Sequence, residues 1–197
     1  MKLRDAAILI QAGYDNSLGS NVRRKHDSNG VLAYLLKDKT LVIPGTNDKR
    51  DWRRNLRVGT VKKGDSGRMW HQGFLEHATE AFKFAAPHNP RRVIGHSLGA
   101  AAAQIVAVSL NIPAICFASP RTLRGKRWFK GENKIINVCR YDDAVAKLPP
   151  SWTGFRHLGN TCWISSGELQ SEGTHTLADY LRVLHKRSKP PLPDIWG

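Results

Sequence analysis

The chain is predicted to fold as an α/β domain with a mostly parallel central sheet and helices on both faces, and three observations predict it. Short apolar runs at Thr40 to Ile43, Val93-Ile94, Ala114 to Ala118 and Lys134 to Cys139 have the length and composition of strands buried on both sides. Stretches with helical periodicity lie between them, and strand-helix alternation implies parallel strands joined by crossovers. At 197 residues the chain is long enough for one core that buries about 70% of its unfolded surface, so residues 1–197 are read as one domain.

The elements follow in order. Leu3 to Tyr14 carries apolar residues at helical spacing and stops at Asp15-Asn16, so it reads as a first helix. Ser20 to Gly30 is polar and charged and reads as a loop. Val31 to Leu36 and Thr40 to Ile43, separated by Lys37-Asp38-Lys39, have the pattern of a β-hairpin. Met69 to Ala86 reads as a helix ended by Pro87. A strand at Val93-Ile94 leads into a helix over Ala100 to Leu110, followed by the strands Ala114 to Ala118 and Lys134 to Cys139. Phe155 to Ile164 is a late strand or hairpin, Leu177 to Leu184 a closing helix, and the Pro-rich tail from Lys189 irregular.

Composition narrows the function classes. Thirty-one basic residues against 16 acidic give a formal charge of +15, which favours polyanionic surfaces. The basic residues are scattered, without an RNA-binding aromatic motif or zinc finger, so nucleic acid is disfavoured as a partner. One dense cluster comprises Lys49, Arg50, Arg53, Arg54, Arg57, Lys62 and Lys63. The three cysteines, Cys116, Cys139 and Cys162, are odd in number and match no zinc spacing; they read as reduced thiols, and neither a metal nor another cofactor is expected. Leu3 to Ile10 contains Arg4 and Asp5, unlike a signal peptide, and no apolar run approaches 18 residues. A soluble, cytoplasmic location is the default, with release by another route left open.

The chemistry is carried by Gly95-His96-Ser97-Leu98-Gly99, a G-x-S-x-G placed between a strand and a helix. Glycines on either side allow strand and helix to approach, so that a serine in a strained turn presents its hydroxyl at the helix N-terminus. A serine nucleophile needs a histidine base oriented by a carboxylate, and in α/β-hydrolases these follow in the order Ser, Asp/Glu, His. Downstream lie His157, inside a strand-like run; His185, well inside the last helix; and His175, in a polar loop before that helix. His175 fits best. Asp142 and Asp143 both end the strand-like run that reaches Cys139, where a carboxylate is expected, and the residues alone do not choose between them; Glu168, Glu172 and Asp179 lie too near His175 in sequence.

The chain resembles the class 3 lipase family, the fungal-type α/β-hydrolases, in motifs that occur in the family's order. Ile43-Pro44-Gly45-Thr46 and Asp51-Trp52-Arg53-Arg54-Asn55-Leu56 resemble the oxyanion loop F-R-G-T and D-W-x-x-N-L. His71-Gln72-Gly73-Phe74 fits H-x-G-F, Gly95 to Ala101 fits G-H-S-L-G-A-A, and Phe117 to Arg121 resembles F-G-x-P-R. Asp143-Ala144-Val145-Ala146-Lys147-Leu148-Pro149-Pro150 fits D-x-V-x-x-L-P-P, and Phe155 to Gly159 fits a non-catalytic F-x-H-x-G.

The resemblance implies an α/β-hydrolase fold and a serine carboxylic-ester hydrolase acting on acylglycerol or other lipid esters through an acyl-enzyme. Ser97 would be the nucleophile, His175 the base and Asp143 its partner, with the backbone N–H groups of Thr46 and Leu98 as the oxyanion hole. His71 and His96 are read as structural. Pro44 stands where the family has arginine, Ala118 and Leu123 where it has glycine, and Thr161 where it often has glutamate. The family carries a lid after the oxyanion loop. Here Asn47 to Leu56 holds four cations with only Trp52 and Leu56 as large apolar residues, which implies peripheral contact with an anionic membrane surface or acidic substrates. Alternatives are a phospholipase or acyltransferase using the same acyl-enzyme, and a catalytically retired basic protein that binds surfaces or nucleic acid.

Overall fold

The computed structural model describes residues 1–46, 60–165 and 175–186. The lid-like segment Asn47 to Leu56, the acids Glu168 and Glu172, and the Pro-rich tail lie outside them.

Among the described residues the central sheet has seven strands: β1 (Val22–Ser28), β2 (Val31–Leu36), β3 (Thr40–Ile43), β6 (Arg92–His96), β7 (Ala114–Phe117), β9 (Ile135–Arg140) and β11 (Asn160–Ile164), adjacent in that order. β1, β2 and β3 pair antiparallel, and every pairing from β3 to β11 is parallel. Helices α2 (Gln72–Ala85) and α3 (Leu98–Leu110) pack on one face, where Phe74, Ala78 and the alanines of α3 meet Leu41, Val93 and Cys116. Helices α1 (Leu3–Tyr14) and α4 (Leu177–Lys186) share the other face, with Ala6, Ile10, Tyr180 and Val183 on Val42, Ile94, Ile115 and Val138. The apolar-on-both-sides runs thus lie in the middle of the sheet, as their composition requires.

The first loop expectation is corrected. Within Ser20 to Gly30, residues Val22–Ser28 form edge strand β1, turned into β2 by Asn29 and Gly30, both at positive φ. An edge strand has one partner and two wet faces, so it carries Arg23, Arg24 and Lys25 without cost, and those charges hide it from hydropathy; they also discourage pairing with other chains. The helix expected from Met69 begins three residues late. Met69–His71 is β5 of a second, antiparallel sheet with β4 (Val61–Lys63), β8 (Leu123–Arg124) and β10 (Phe155–Arg156). β8 and β10 come from sequence-distant segments, and the neighbouring β4 and β5 are too short to show a period, so no local pattern announces the sheet. For the same reason Phe155 to Ile164 is no hairpin: β10 and β11 belong to different sheets. The C-terminal ends of β3, β6 and β9 lie along one edge of the main sheet, and there the candidate site is assembled.

Candidate active site

Ser97 sits between β6 and α3 at φ 58°, ψ −123°, a conformation that strains any residue other than glycine. Its flanking glycines are required sterically. A Cβ on Gly95 would collide with the Gly99 carbonyl, and one on Gly99 with the carbonyls of Ile43 and Pro44. The strand, the helix and the loop after β3 are therefore locked together around the serine. Further on, Ala118 holds φ 51° after β7, at a position where the family pattern has glycine.

The predicted partners converge on Ser97. Its Oγ lies 2.7 Å from His175 Nε2, and His175 Nδ1 lies 2.8 and 3.0 Å from the two Asp143 carboxylate oxygens. A carboxylate only accepts, so Nδ1 carries the proton and Nε2 is left to accept from the serine hydroxyl. Asp143 is fully buried, and two further donors stabilise its charge: the Val145 N–H at 2.9 Å and the Tyr180 hydroxyl at 2.8 Å. The Tyr180 hydroxyl in turn accepts the Arg140 N–H at 3.0 Å. Burial first, and the neighbouring Asp143 charge second, push the Tyr180 phenol well above its ordinary range, so it remains a donor.

Asp142 has a different partner. Its carboxylate is gripped in bidentate fashion by the buried Arg140 guanidinium, at 2.9 and 2.6 Å, and that hydrogen bond holds its carboxyl below the usual range. Asp179 is occupied in a capping box: Oδ2 accepts from the Thr176 hydroxyl at 2.5 Å and the Thr176 N–H at 3.2 Å, while the Asp179 N–H returns to Thr176 Oγ1. The box starts α4 immediately after His175 and fixes where that ring leaves the helix. His157 packs behind the site with Nε2 2.8 Å from the Ser119 carbonyl, and burial pushes it down to about 4; His185 lies exposed near the end of α4. His71 is buried against Phe74, its ring centroid 4.2 Å away.

The oxyanion candidates flank the serine. Leu98 opens α3, whose first intrahelical bond is Ala101 N–H to the Ser97 carbonyl, so the Leu98 N–H belongs to the first turn, at the helix's positive end, where backbone donors have no intrahelical acceptor. Thr46 follows Gly45, and a Cβ on Gly45 would come within 3.1 Å of Ser97 Cβ. Pro44 leaves the loop without the family's arginine, and its anchor comes from Tyr14, whose hydroxyl accepts the Gly45 N–H at 2.6 Å. Tyr14 and Tyr180 escaped sequence reasoning because each is an ordinary core-facing position of an amphipathic helix; only the fold puts their hydroxyls beside the site.

Behind the elbow, the buried Gln104 accepts from Thr122 Oγ1 and the Leu158 N–H and donates to the Ser119 hydroxyl, tying α3 to the loops after β7 and β10. Burial pushes the thiols of Cys116 and Cys139 up, which keeps both inert beside this site. No cluster of three or more His, Cys, Asp or Glu able to hold a metal occurs among the described residues.

The class 3 lipase family model, "Lipase (class 3)", matches residues 40–152, more than half of the chain. The chain belongs to the class 3 lipase family. Two relatives of this class 3 lipase are named secreted mono- and diacylglycerol lipases. That of Fusarium solani is 31% identical, the match covering 87% of this chain and 55% of its own. That of Malassezia globosa is 30% identical, covering 83% of this chain and 61% of its own. The chain thus spans little more than half the length of these relatives. Among solved structures, lipase II from Rhizopus niveus superposes with a TM-score of 0.64 at 20% identity, over 87% of this chain and 80% of that one, which shows the α/β-hydrolase fold.

Proposed function

We propose that this class 3 lipase hydrolyses acylglycerol esters through an acyl-enzyme on Ser97. His175 Nε2 takes the serine proton as Oγ attacks the ester carbonyl, and passes it to the departing alcohol oxygen. Water then repeats the cycle and releases the acid. Asp143 holds Nδ1–H in place and stabilises the imidazolium, while the N–H groups of Thr46 and Leu98 receive the oxyanion. The observation that carries this reading is the continuous hydrogen-bonded chain from Ser97 Oγ through His175 to a buried Asp143. Membership of the lipase family supports a lipid ester as substrate, and the names of the two relatives favour mono- and diacylglycerols.

Among the described residues no helix is long and apolar enough to cross a membrane. Both relatives are named as secreted, which gives the cytoplasmic default no support. The reading of the basic segment as an anionic-surface contact falls on residues outside the described structure and stands as a proposal for vesicle binding at low salt.

The test is hydrolysis of monoacylglycerol and of nitrophenyl esters of increasing acyl length by the wild type and Ser97→Ala. The variant should lose about 10⁴-fold or more in kcat. Equal rates for the two proteins would overturn the proposal.

A further inference from the structure

Three bonds outside the triad connect the oxyanion loop to His175. The Gly45 N–H donates to Tyr14 Oη at 2.6 Å, Tyr14 Oη lies 2.8 Å from His96 Nδ1, and His96 Nε2 lies 3.0 Å from the backbone carbonyl of His175. We propose that Tyr14 and His96 are positioning residues for the reaction, a strap that fixes the oxyanion loop and the catalytic histidine relative to one another.

The direction of every proton in the strap follows from elementary chemistry. A backbone carbonyl only accepts, so His96 Nε2 carries the hydrogen. In the neutral imidazole Nδ1 is then a bare acceptor, and the Tyr14 hydroxyl donates to it. The tyrosine oxygen keeps its lone pairs for the Gly45 N–H. The Tyr14 phenol is pushed above its ordinary range, chiefly by burial, so its proton stays in place. The alternative tautomer of His96 would leave Nε2 without a proton for the His175 carbonyl.

Geometry gives the strap its leverage. Gly45 is wedged so closely that a Cβ there would stand 2.5 Å from Tyr14 Oη and 2.9 Å from the His96 carbonyl. The residue after Gly45 is Thr46, and the residue after His96 is Ser97, so displacement of either strap member passes directly to an oxyanion donor or to the nucleophile. The far end holds His175 by its main chain while its ring faces Ser97 and Asp143. The rings also pack along the strap, the His96 centroid lying 5.7 Å from that of Tyr14 and 5.2 Å from that of His175. Tyr14 lies outside the segment matched to the family, at the end of α1, and it supplies the loop with an anchor where Pro44 cannot.

The inference rests on the ester-hydrolase reading of Ser97, and its test has one arm that does not. Tyr14→Phe keeps the ring and deletes the hydroxyl. On a nitrophenyl ester it should lower kcat about tenfold to a hundredfold with KM within about twofold, as misplacement of an oxyanion donor does. Tyr34→Phe is the comparison, because the Tyr34 hydroxyl bonds the Gly13 carbonyl and Asn16 at the same helix end, outside the strap. It should lower the thermal midpoint at least as much as Tyr14→Phe and keep kcat within about twofold. The independent arm is ¹⁵N NMR of histidine-labelled wild type, in which His96 should appear as the Nε2–H tautomer with a bare Nδ1. An Nδ1–H tautomer, a Tyr14→Phe enzyme with wild-type kcat, or an equal kcat loss in Tyr34→Phe each overturns the strap. If Ser97→Ala hydrolyses as well as wild type, the hydrolase reading fails instead, and the tautomer alone decides whether the strap exists.

Discussion

Tyr180→Phe isolates the cost of stabilising a buried carboxylate. The substitution removes one oxygen and leaves the ring among its neighbours, Phe117 and His96, whose centroids lie 6.2 and 6.4 Å away. Two groups lose a partner: Asp143 Oδ2, which accepts from the phenol at 2.8 Å, and the Arg140 N–H, which donates to it at 3.0 Å. A hydrogen bond to a charged acceptor nets about 1.5–3 kcal/mol, and an orphaned buried N–H adds about 1 kcal/mol. The total is about 2–4 kcal/mol, which for a chain of this size lowers the thermal midpoint by about 5–15 °C. Asp143 keeps the His175 and Val145 donors, so the triad survives with a less well stabilised anion, and kcat should fall about tenfold. Calorimetry and ester hydrolysis on the same preparation read both effects. A midpoint within 2 °C of wild type together with an unchanged kcat would refute the view that Tyr180 helps hold the Asp143 charge.

Gly99→Ala forces a methyl group into the Ile43 and Pro44 carbonyls, and because both obstacles are backbone the β3 loop must move; about 3 kcal/mol of stability and about a hundredfold in kcat should be lost, measured by urea unfolding and ester hydrolysis. Arg156→Ala strands Glu132, which is fully buried and held by that guanidinium at 2.6 and 2.8 Å, so urea unfolding should show a loss of about 3–5 kcal/mol, much of it recovered when Glu132→Gln is added. Burial pushes His77 and His157 down from the ordinary 6.5 to about 4, so both stay neutral in the folded chain while the unfolded chain gains their protons below about pH 6.5. Their contribution is therefore intact above pH 6.5 and is lost as pH falls toward 4, by up to about 3 kcal/mol each. Urea midpoints at pH 7.5 and 4.5 should converge in His77→Leu relative to wild type; an identical drop in both proteins would contradict the assignment.

The sequence disclosed whatever is local or depends on chain order. Helix α1 and strands β2 and β3 occupy the residues their patterns mark, because each has one apolar face or two and a clear stop. Ser97 could be found from its glycines, and His175 from its place in a polar loop before the last helix. Asp143 is a different case: only the family pattern separated it from Asp142, and the physical reason, the Arg140 clamp on Asp142, is a tertiary contact. Strand β1 was hidden by charges that an edge tolerates, although Asn29-Gly30 is a hairpin turn signal. The small sheet had a weaker signal, since β4 and β5 are too short to show a period and its other pairings join segments that lie far apart in the chain. Tyr14 and Tyr180 look like core-facing residues because both pack on the apolar cluster beneath α1 and α4; their hydroxyls gain meaning only from the polar atoms the fold delivers to them.

The packing of α1 and α4 on the same sheet face has a consequence for how the site is held together. The nucleophile turn is built from β3, β6 and α3, all complete by residue 110. His175 and Tyr180 lie more than sixty residues further along the chain, and α4 docks beside α1, which precedes all of these elements. Contact between α1 and α4 is therefore a condition for bringing His175 to Ser97 and Tyr180 to Asp143, and loosening that helix pair should separate these groups while leaving the Ser97 turn formed.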